Sequence, residues 1–288
     1  MSALVSNILT QVFITLIAVA GVYVLTGLTG MFSLGQAAFM AIGAYASGLL
    51  VLRAHLPIAL ACVLAVVMAT GVGFLIGYPV VRLRRDYISL VTLGFGEAIA
   101  ALLNRMTFLT GGASGLTGIP RTVGLGITAV SAVVVLVLVA FFKNSKYSRQ
   151  CIALRGDELA AKAMGINVTK VKMTAFLLSV ALTSYSGCLY AFYMSYVDPT
   201  GFGWKKSADW VIMVFFGGVN SLTGSTLGAF ILSALRSLQS YRYVIYAILV
   251  LIILNFKPSG LLGEWELSPR NIRALFTKRN KKTAKKEV

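Results

Sequence analysis

The sequence predicts an all-α, polytopic membrane protein, and three observations carry that expectation. Hydrophobic residues fill 58% of its 288 positions and charged ones only 12%, about half the charged share of a soluble domain. The mean hydropathy is +0.84. Apolar runs of about 20 residues, the length that crosses a hydrocarbon core, recur along the chain. They predict about nine membrane segments, with eight to ten as the range, including broken or re-entrant helices. One long polar loop, residues 143–172, interrupts them.

The first segment covers residues 7–26 and ends at GLTGMF. It lacks a basic flank and is too long for a signal-peptide core, so it reads as a span. The second occupies 33–52. Pro57 opens the third, a position where proline is tolerated, and the run continues to Val81. RLRRD closes it, and the fourth lies at 87–108. The glycine-rich TGGASGLTGIP, at 110–120, reads as a loop. The fifth ends at Phe142 and is the most plainly apolar, and the sixth runs over 173–196 after the polar segment. VDPTGFGWKKS forms a second loop. ADWVIMVFFGG is too short to cross alone; VNSLTG turns the chain and STLGAFILSALRS returns it. The last segment, 241–256, precedes a basic tail.

The net charge of +17 would suggest nucleic acid in a soluble protein. Here no polar domain exists to carry such binding, and the charge sits in loops and tail. With nine segments and the tail inside, 19 of the 26 Lys and Arg residues fall on one side: three at 82–85, seven in 143–172 and nine from Lys257 onward. Cytoplasmic loops collect such cations, so the carboxy-terminus is expected in the cytoplasm and the amino-terminus outside. Residues 1–268 read as one membrane domain. Residues 269–288 read as a basic cytoplasmic tail, expected to be disordered near anionic headgroups.

Catalytic chemistry finds little support. Cys62, Cys151 and Cys188 have no CxxC spacing, and the single histidine, His55, gives no metal set and no catalytic triad. The glycine turn GGVNSLTGS lacks the lysine of a phosphate-binding loop. No enzyme activity, metal or cofactor is expected of this chain.

The polar segment contains SRQCIALRGDELAAKAMGINVTKVK. Asp157 and Glu158 stand where carboxylates favour a helix start, and Gly165 is a suitable stop. Leu159, Ala160, Ala163 and Met164 make a small apolar stripe at helical spacing. A helix this short is marginal by itself and needs a surface. That surface is either the protein's own cytoplasmic face or a groove in a separate subunit. In the second case small residues allow close approach, while Arg155, Asp157, Glu158 and Lys162 set orientation at the rim.

Few ionisable groups lie inside the spans. Glu97, in TLGFGEAIA beside Gly94 and Gly96, costs on the order of 3 kcal/mol if left charged at mid-membrane. It reads either as a pathway or gate residue or as a hydrogen bond to a neighbouring helix, with Asn104 or Arg105 as partners. Ser33 and Gln36 in FSLGQAAF, and Asn220 in GGVNSLTG, mark two irregular passages. Such passages line cavities or sites, or their glycines serve close packing. Trp204, Lys205 and Lys206 read as interfacial anchors or as contacts for an acidic partner.

Six stretches, in order, resemble the branched-chain amino acid permeases of the ABC importers, of the LivM type. They are GLTGMFSLGQAAFMAIGAYASGLL, DYISLVTLGFGEAIAALL, TGGASGLTGIP, ALRGDELAAKAMGINVTKVKMTAF, FFGGVNSLTGSTLGA and KPSGLLG. The resemblance implies a bacterial inner-membrane subunit that imports branched-chain or related hydrophobic amino acids. It implies three kinds of partner: a second homologous permease, two cytoplasmic ATP-binding subunits that hold ATP and magnesium, and an extracytoplasmic binding protein. It also implies that residues 157–165 couple the permease to its ATPase. Urea or another small polar solute is the alternative substrate. A self-contained secondary transporter or channel is the alternative class, disfavoured because Glu97 is nearly alone.

Overall fold

A computed structural model describes residues 3–235, together with residues 248, 251, 255, 260–263 and 266. In chain order the helices are α1 (Ala3–Tyr23), extended by a π turn at Val24–Leu28, α2 (Gln36–Ala54), α3 (Ile58–Val80), α4 (Arg85–Arg105) and the single turn α5 (Thr107–Thr110). After strand β1 (Leu116–Thr117) come α6 (Leu125–Lys143), α7 (Lys146–Gly156), α8 (Glu158–Ala163) and α9 (Val168–Met194). Strand β2 (Tyr196–Val197), α10 (Trp204–Gly217) and α11 (Leu222–Ala234) follow.

Among the described residues, six helices are long and apolar enough to cross a membrane: α1, α2, α3, α4, α6 and α9. The expected count of nine is therefore not reached here. α10 and α11, with 14 and 13 residues, extend about 20 Å each, short of the roughly 30 Å hydrocarbon core. They form a tight hairpin in which backbone meets backbone at Gly217 and Gly224. The expected segment 241–256, of which only residues 248, 251 and 255 are described, and the tail 269–288 with its boundary at 268 lie outside the described residues.

Burial separates core from periphery. The spans of α1, α2 and α9 are 78%, 56% and 72% buried; those of α3, α4 and α6 are 22%, 17% and 22%. α9 is the central post, packed against α1, α2 and α3, while α1 also packs against α6, α10 and α11. The α2–α9 crossing is close because a Cβ at Gly187 would lie 2.0 Å from the Met40 carbonyl oxygen. Small residues at such crossings let dispersion contacts replace the hydrophobic drive that lipid does not supply. Phe39 of α2 then bridges to α4 and α9, with ring centroids 5.2 Å from Phe95 and 5.8 Å from Phe176.

Two loops that look separate in the sequence are joined. Leu116 pairs with Val197 and Thr117 with Tyr196 in an antiparallel ladder. The Tyr45 hydroxyl of α2 donates to the Val197 carbonyl at 3.0 Å. This corrects the all-α expectation by two short strands. The sixth expected span also begins earlier, at Val168 rather than 173, because Asn167 caps α9 there.

Candidate functional site

The segment from α7 to the start of α9 folds as it does because three capping residues punctuate it. Ser145 Oγ accepts from the Ser148 N–H at 3.3 Å, and Asn167 Oδ1 from the Lys170 N–H at 3.1 Å. Between them, Asp157 Oδ1 accepts from the N–H groups of Leu159 and Ala160, at 2.8 and 3.1 Å. Each cap contributes about 1 kcal/mol. At the far end of α8 the Ile166 N–H reaches back to Ala161 O and the Gly165 N–H to Lys162 O, a Schellman closure. Gly165 sits at φ +80°, a conformation glycine adopts without a Cβ penalty.

Tertiary bonds fasten this capped segment to the bundle. Cys151, Leu154 and Ala161 turn inward and are buried, and burial pushes the Cys151 thiol up to about 11. Glu158 places both carboxylate oxygens 2.8 Å from Lys172 Nζ. Arg155 Nη1 donates to the Gly27 carbonyl at 2.6 Å, inside the π turn of α1. Arg85, at the start of α4, donates to the carbonyls of Leu154 and Arg155. The segment is thus tied to α1, α4 and α9 at once.

Its outer face is apolar. Leu159 and Met164 are 79% and 83% exposed, and Asp157, Ala160, Lys162, Ala163 and Gly165 are exposed with them. The stripe found in the sequence therefore points away from the chain, and Ala161, which the stripe did not include, is the contact that seats α8. Of the residues singled out from the sequence, Arg155 and Glu158 turn toward the bundle instead. A groove of about 820 Å³ runs alongside, lined in part by Arg82, Arg84, Leu159 and Lys162. Sequence reasoning missed Lys172, Arg85 and the π turn. A lysine four residues into an apolar helix was the available signal, since a buried ammonium requires a partner.

The irregular passage between α1 and α2 is buried except at Phe32, which is exposed, and at the half-buried Gly30 and Leu34. Ser33 and Gln36 are buried. The orphan N–H groups at this break are filled by hydroxyls from other helices: Leu34 N–H by Thr92 Oγ1 of α4 at 3.1 Å, and Ala37 N–H by Ser207 Oγ of α10 at 2.9 Å. Gln36 Oε1 lies 3.2 Å from Thr183 Oγ1 of α9, while its Nε2 is buried with no partner among the described residues.

Of Glu97 and its two glycines, Gly96 lies against this same break. A Cβ at Gly96 would meet the Gly35 Cα at 3.5 Å, whereas Gly94 faces open space. Glu97 is exposed on the poorly covered face of α4, and its Oε1 accepts from the Trp204 N–H at 3.2 Å. A carboxylate there meets the positive end of the α10 dipole. Its partner is thus the backbone of α10, not Asn104 or Arg105. Trp204 and Lys205 are exposed in the first turn of α10, while Lys206 Nζ sits 4.3 Å from the Phe202 ring centroid.

Asn220 belongs elsewhere. It is exposed, and its carbonyl accepts from Lys143 Nζ at 3.1 Å and from the Tyr23 hydroxyl at 3.5 Å. The neighbouring Val219 carbonyl lies 2.8 Å from where a Cβ on Gly27 would stand. The α10–α11 turn and the α7–α8 segment therefore converge on one π turn. Structurally, Ser33, Gln36, Gly96 and Glu97 form one set, and Asn220 joins the other.

Comparison with known proteins shows the family. A family model described as the permease component of branched-chain amino acid transport systems matches residues 4–254. The chain is similar to the high-affinity branched-chain amino acid transport system permease protein LivM of Salmonella typhimurium, 31% identical over 89% of this chain and 69% of that protein. LivM of Escherichia coli K12 shows the same identity and coverage. LivH of Salmonella typhimurium, a permease protein of the same kind of system, is 25% identical over 64% of this chain and 61% of its own length. No solved structure matches.

Proposed function

Because the chain belongs to the family of permease components of branched-chain amino acid transport systems, we propose that it is the membrane-spanning subunit of an ATP-driven importer of branched-chain or related hydrophobic amino acids. The observation that carries this reading is α8: an exposed apolar face on a helix bonded to α1, α4 and α9. A helix exposed for docking alone needs no such bracing. A helix that delivers force to the spans does.

In this reading a cytoplasmic ATPase receives Leu159, Ala160, Ala163 and Met164 in a groove, with Lys162 and Asp157 at its rim. ATP and magnesium bind on two such subunits. Their closure moves α8, and the Arg155–Gly27 and Glu158–Lys172 bonds carry the movement into α1 and α9. The similarity to both LivM and LivH supports pairing with a second homologous permease. The poorly covered face of α4, with Gly94 and Glu97, is then assigned to the translocation path between the two chains. An extracytoplasmic binding protein delivers the solute. The membrane is a bacterial inner membrane, with the α8 end and the tail in the cytoplasm and the amino-terminus outside.

The test is reconstitution. Purify the tagged chain from its native membrane in mild detergent, identify what accompanies it, and measure ATP-dependent uptake of radiolabelled leucine in proteoliposomes. Recovery of a second permease and ATP-binding subunits, with leucine uptake, is expected. Uptake of urea but not leucine changes the substrate. Leucine uptake by the chain alone, driven by an ion gradient, replaces the ATP-driven reading with a secondary transporter.

A further inference from the structure

An open groove of about 860 Å³ lies between α3 and α6, with α9 as its floor. Val63 and Val67 of α3 and Val130 and Val134 of α6 line it and are all more than half exposed. Its tyrosine is already satisfied, since the Tyr185 hydroxyl donates to Ser131 Oγ at 3.0 Å. The lining runs from Ile58 to Val67 on α3 and from Ile127 to Leu138 on α6, about 14–17 Å at 1.5 Å per residue. That is one leaflet of a hydrocarbon core some 30 Å thick. A partner helix crossing the bilayer would need about twice the length.

The groove does not end on bare surface. At the start of α6 it shares Thr122 and Val123 with a polar pocket of about 280 Å³. Arg121 lines that pocket, its guanidinium carbon 5.4 Å from the centre of the Tyr193 ring. Ser6, Asn7 and Thr10 of α1 line it as well, and among the described residues no acidic side chain does. Gly124, at the N-cap of α6, contributes no side-chain cap, so the positive end of that helix faces the same region.

We infer that groove and pocket together bind one anionic glycerophospholipid of the surrounding bilayer. An acyl chain lies along α3 and α6, and the phosphate meets Arg121. A zwitterionic headgroup fits less well, because its ammonium finds no carboxylate among the described residues that line the pocket. The lipid would brace α3 and α6, whose spans are each only 22% buried.

The full chain, exchanged into nanodiscs of equal phosphatidylglycerol and phosphatidylcholine and then released for native mass spectrometry, tests this. The wild type is expected to retain phosphatidylglycerol preferentially. Arg121→Gln should lower that preference about fivefold, the effect of one basic residue at a charged membrane surface. Val134→Trp should lower retention of both lipids. Unchanged retention and preference in both variants overturns the proposal. Should Val134→Trp fail to fold, the exposed Arg121→Gln decides alone. A photo-crosslinking residue at position 67 should capture lipid in the membrane; capture of a polypeptide instead also overturns the assignment.

Discussion

Lys172 is 1% exposed, and its ammonium lies 2.8 Å from each carboxylate oxygen of Glu158, fourteen residues earlier. One bidentate pair thus locks α8 to the first turns of α9. Its stability is conditional, because an unpartnered ammonium at that depth has no water to replace the carboxylate.

Removing the carboxylate should therefore cost more than removing both charges. Glu158→Gln is expected to lower stability by about 1–3 kcal/mol, since Lys172 remains buried without its counter-ion while the half-exposed carboxylate limits the loss. The double variant Glu158→Gln with Lys172→Met should recover much of it. Thermal unfolding of the purified protein gives the comparison, and a double variant less stable than Glu158→Gln alone would contradict the pairing argument.

Ala160 and Ala163 are exposed on α8, so enlarging them costs the fold little. Replacing both with phenylalanine is expected to leave the melting temperature within a degree or two of wild type, as for surface changes generally. Uptake should fall by at least about tenfold while ATP hydrolysis persists, the loss expected of a blocked contact worth more than about 1.4 kcal/mol. Normal uptake in the double variant would remove α8 from the coupling role.

At Glu97 the bond to Trp204 needs only an acceptor. Glu97→Gln keeps one and should transport within about twofold of wild type, whereas Glu97→Ala leaves the α10 N-terminus uncapped, at a cost of about 1 kcal/mol, and should transport less. Loss of transport in the glutamine variant alone would show that the charge itself is required.

Cys151 gives a reporter for the seating of α7. With its thiol pushed up to about 11 by burial, roughly one molecule in a thousand carries the thiolate at pH 8. Raising the pH toward 11 increases the reactive form, so the folded protein should resist N-ethylmaleimide at pH 8 at this position. Mild denaturant, which exposes Cys151, should allow labelling. Peptide mass spectrometry reads both, and prompt labelling of Cys151 in the folded state would contradict the packing of α7.

Much of the polar segment from α7 to α9 was legible because its signals are local. Asp157 and Gly165 act within three or four residues of themselves, and the apolar stripe of α8 is a matter of helical spacing; the cap at Asn167 is equally local but was not read, so the span after it was placed too late. What the sequence left open was which way that stripe points. Seating depends on Ala161, Cys151 and Leu154, which look no different in sequence from the alanines and leucine that face outward. For Glu97, polarity in an apolar run was visible, but its partner 107 residues away in α10 was not. The sequence showed ADWVIMVFFGG as too short to cross alone, and the lengths of α10 and α11 agree; the last expected segment, 241–256, lies largely outside the described residues.

By itself the sequence determined the class of molecule, the positions of the long spans, the place of the polar interruption and the likeness to branched-chain amino acid permeases. Those follow from composition, periodicity and caps, which are properties of neighbouring residues. The tertiary structure alone decided the rest: the Glu158–Lys172 and Arg155–Gly27 bonds, the pairing of Leu116 with Val197, the hydroxyls of Thr92 and Ser207 that satisfy the α1–α2 break, and the grouping of Asn220 with α7 and α8. Each joins groups separated by about 14 to 197 positions. The physical reason is burial. Away from water a backbone N–H, a carboxylate or an ammonium takes its partner from whichever helix the packing brings near.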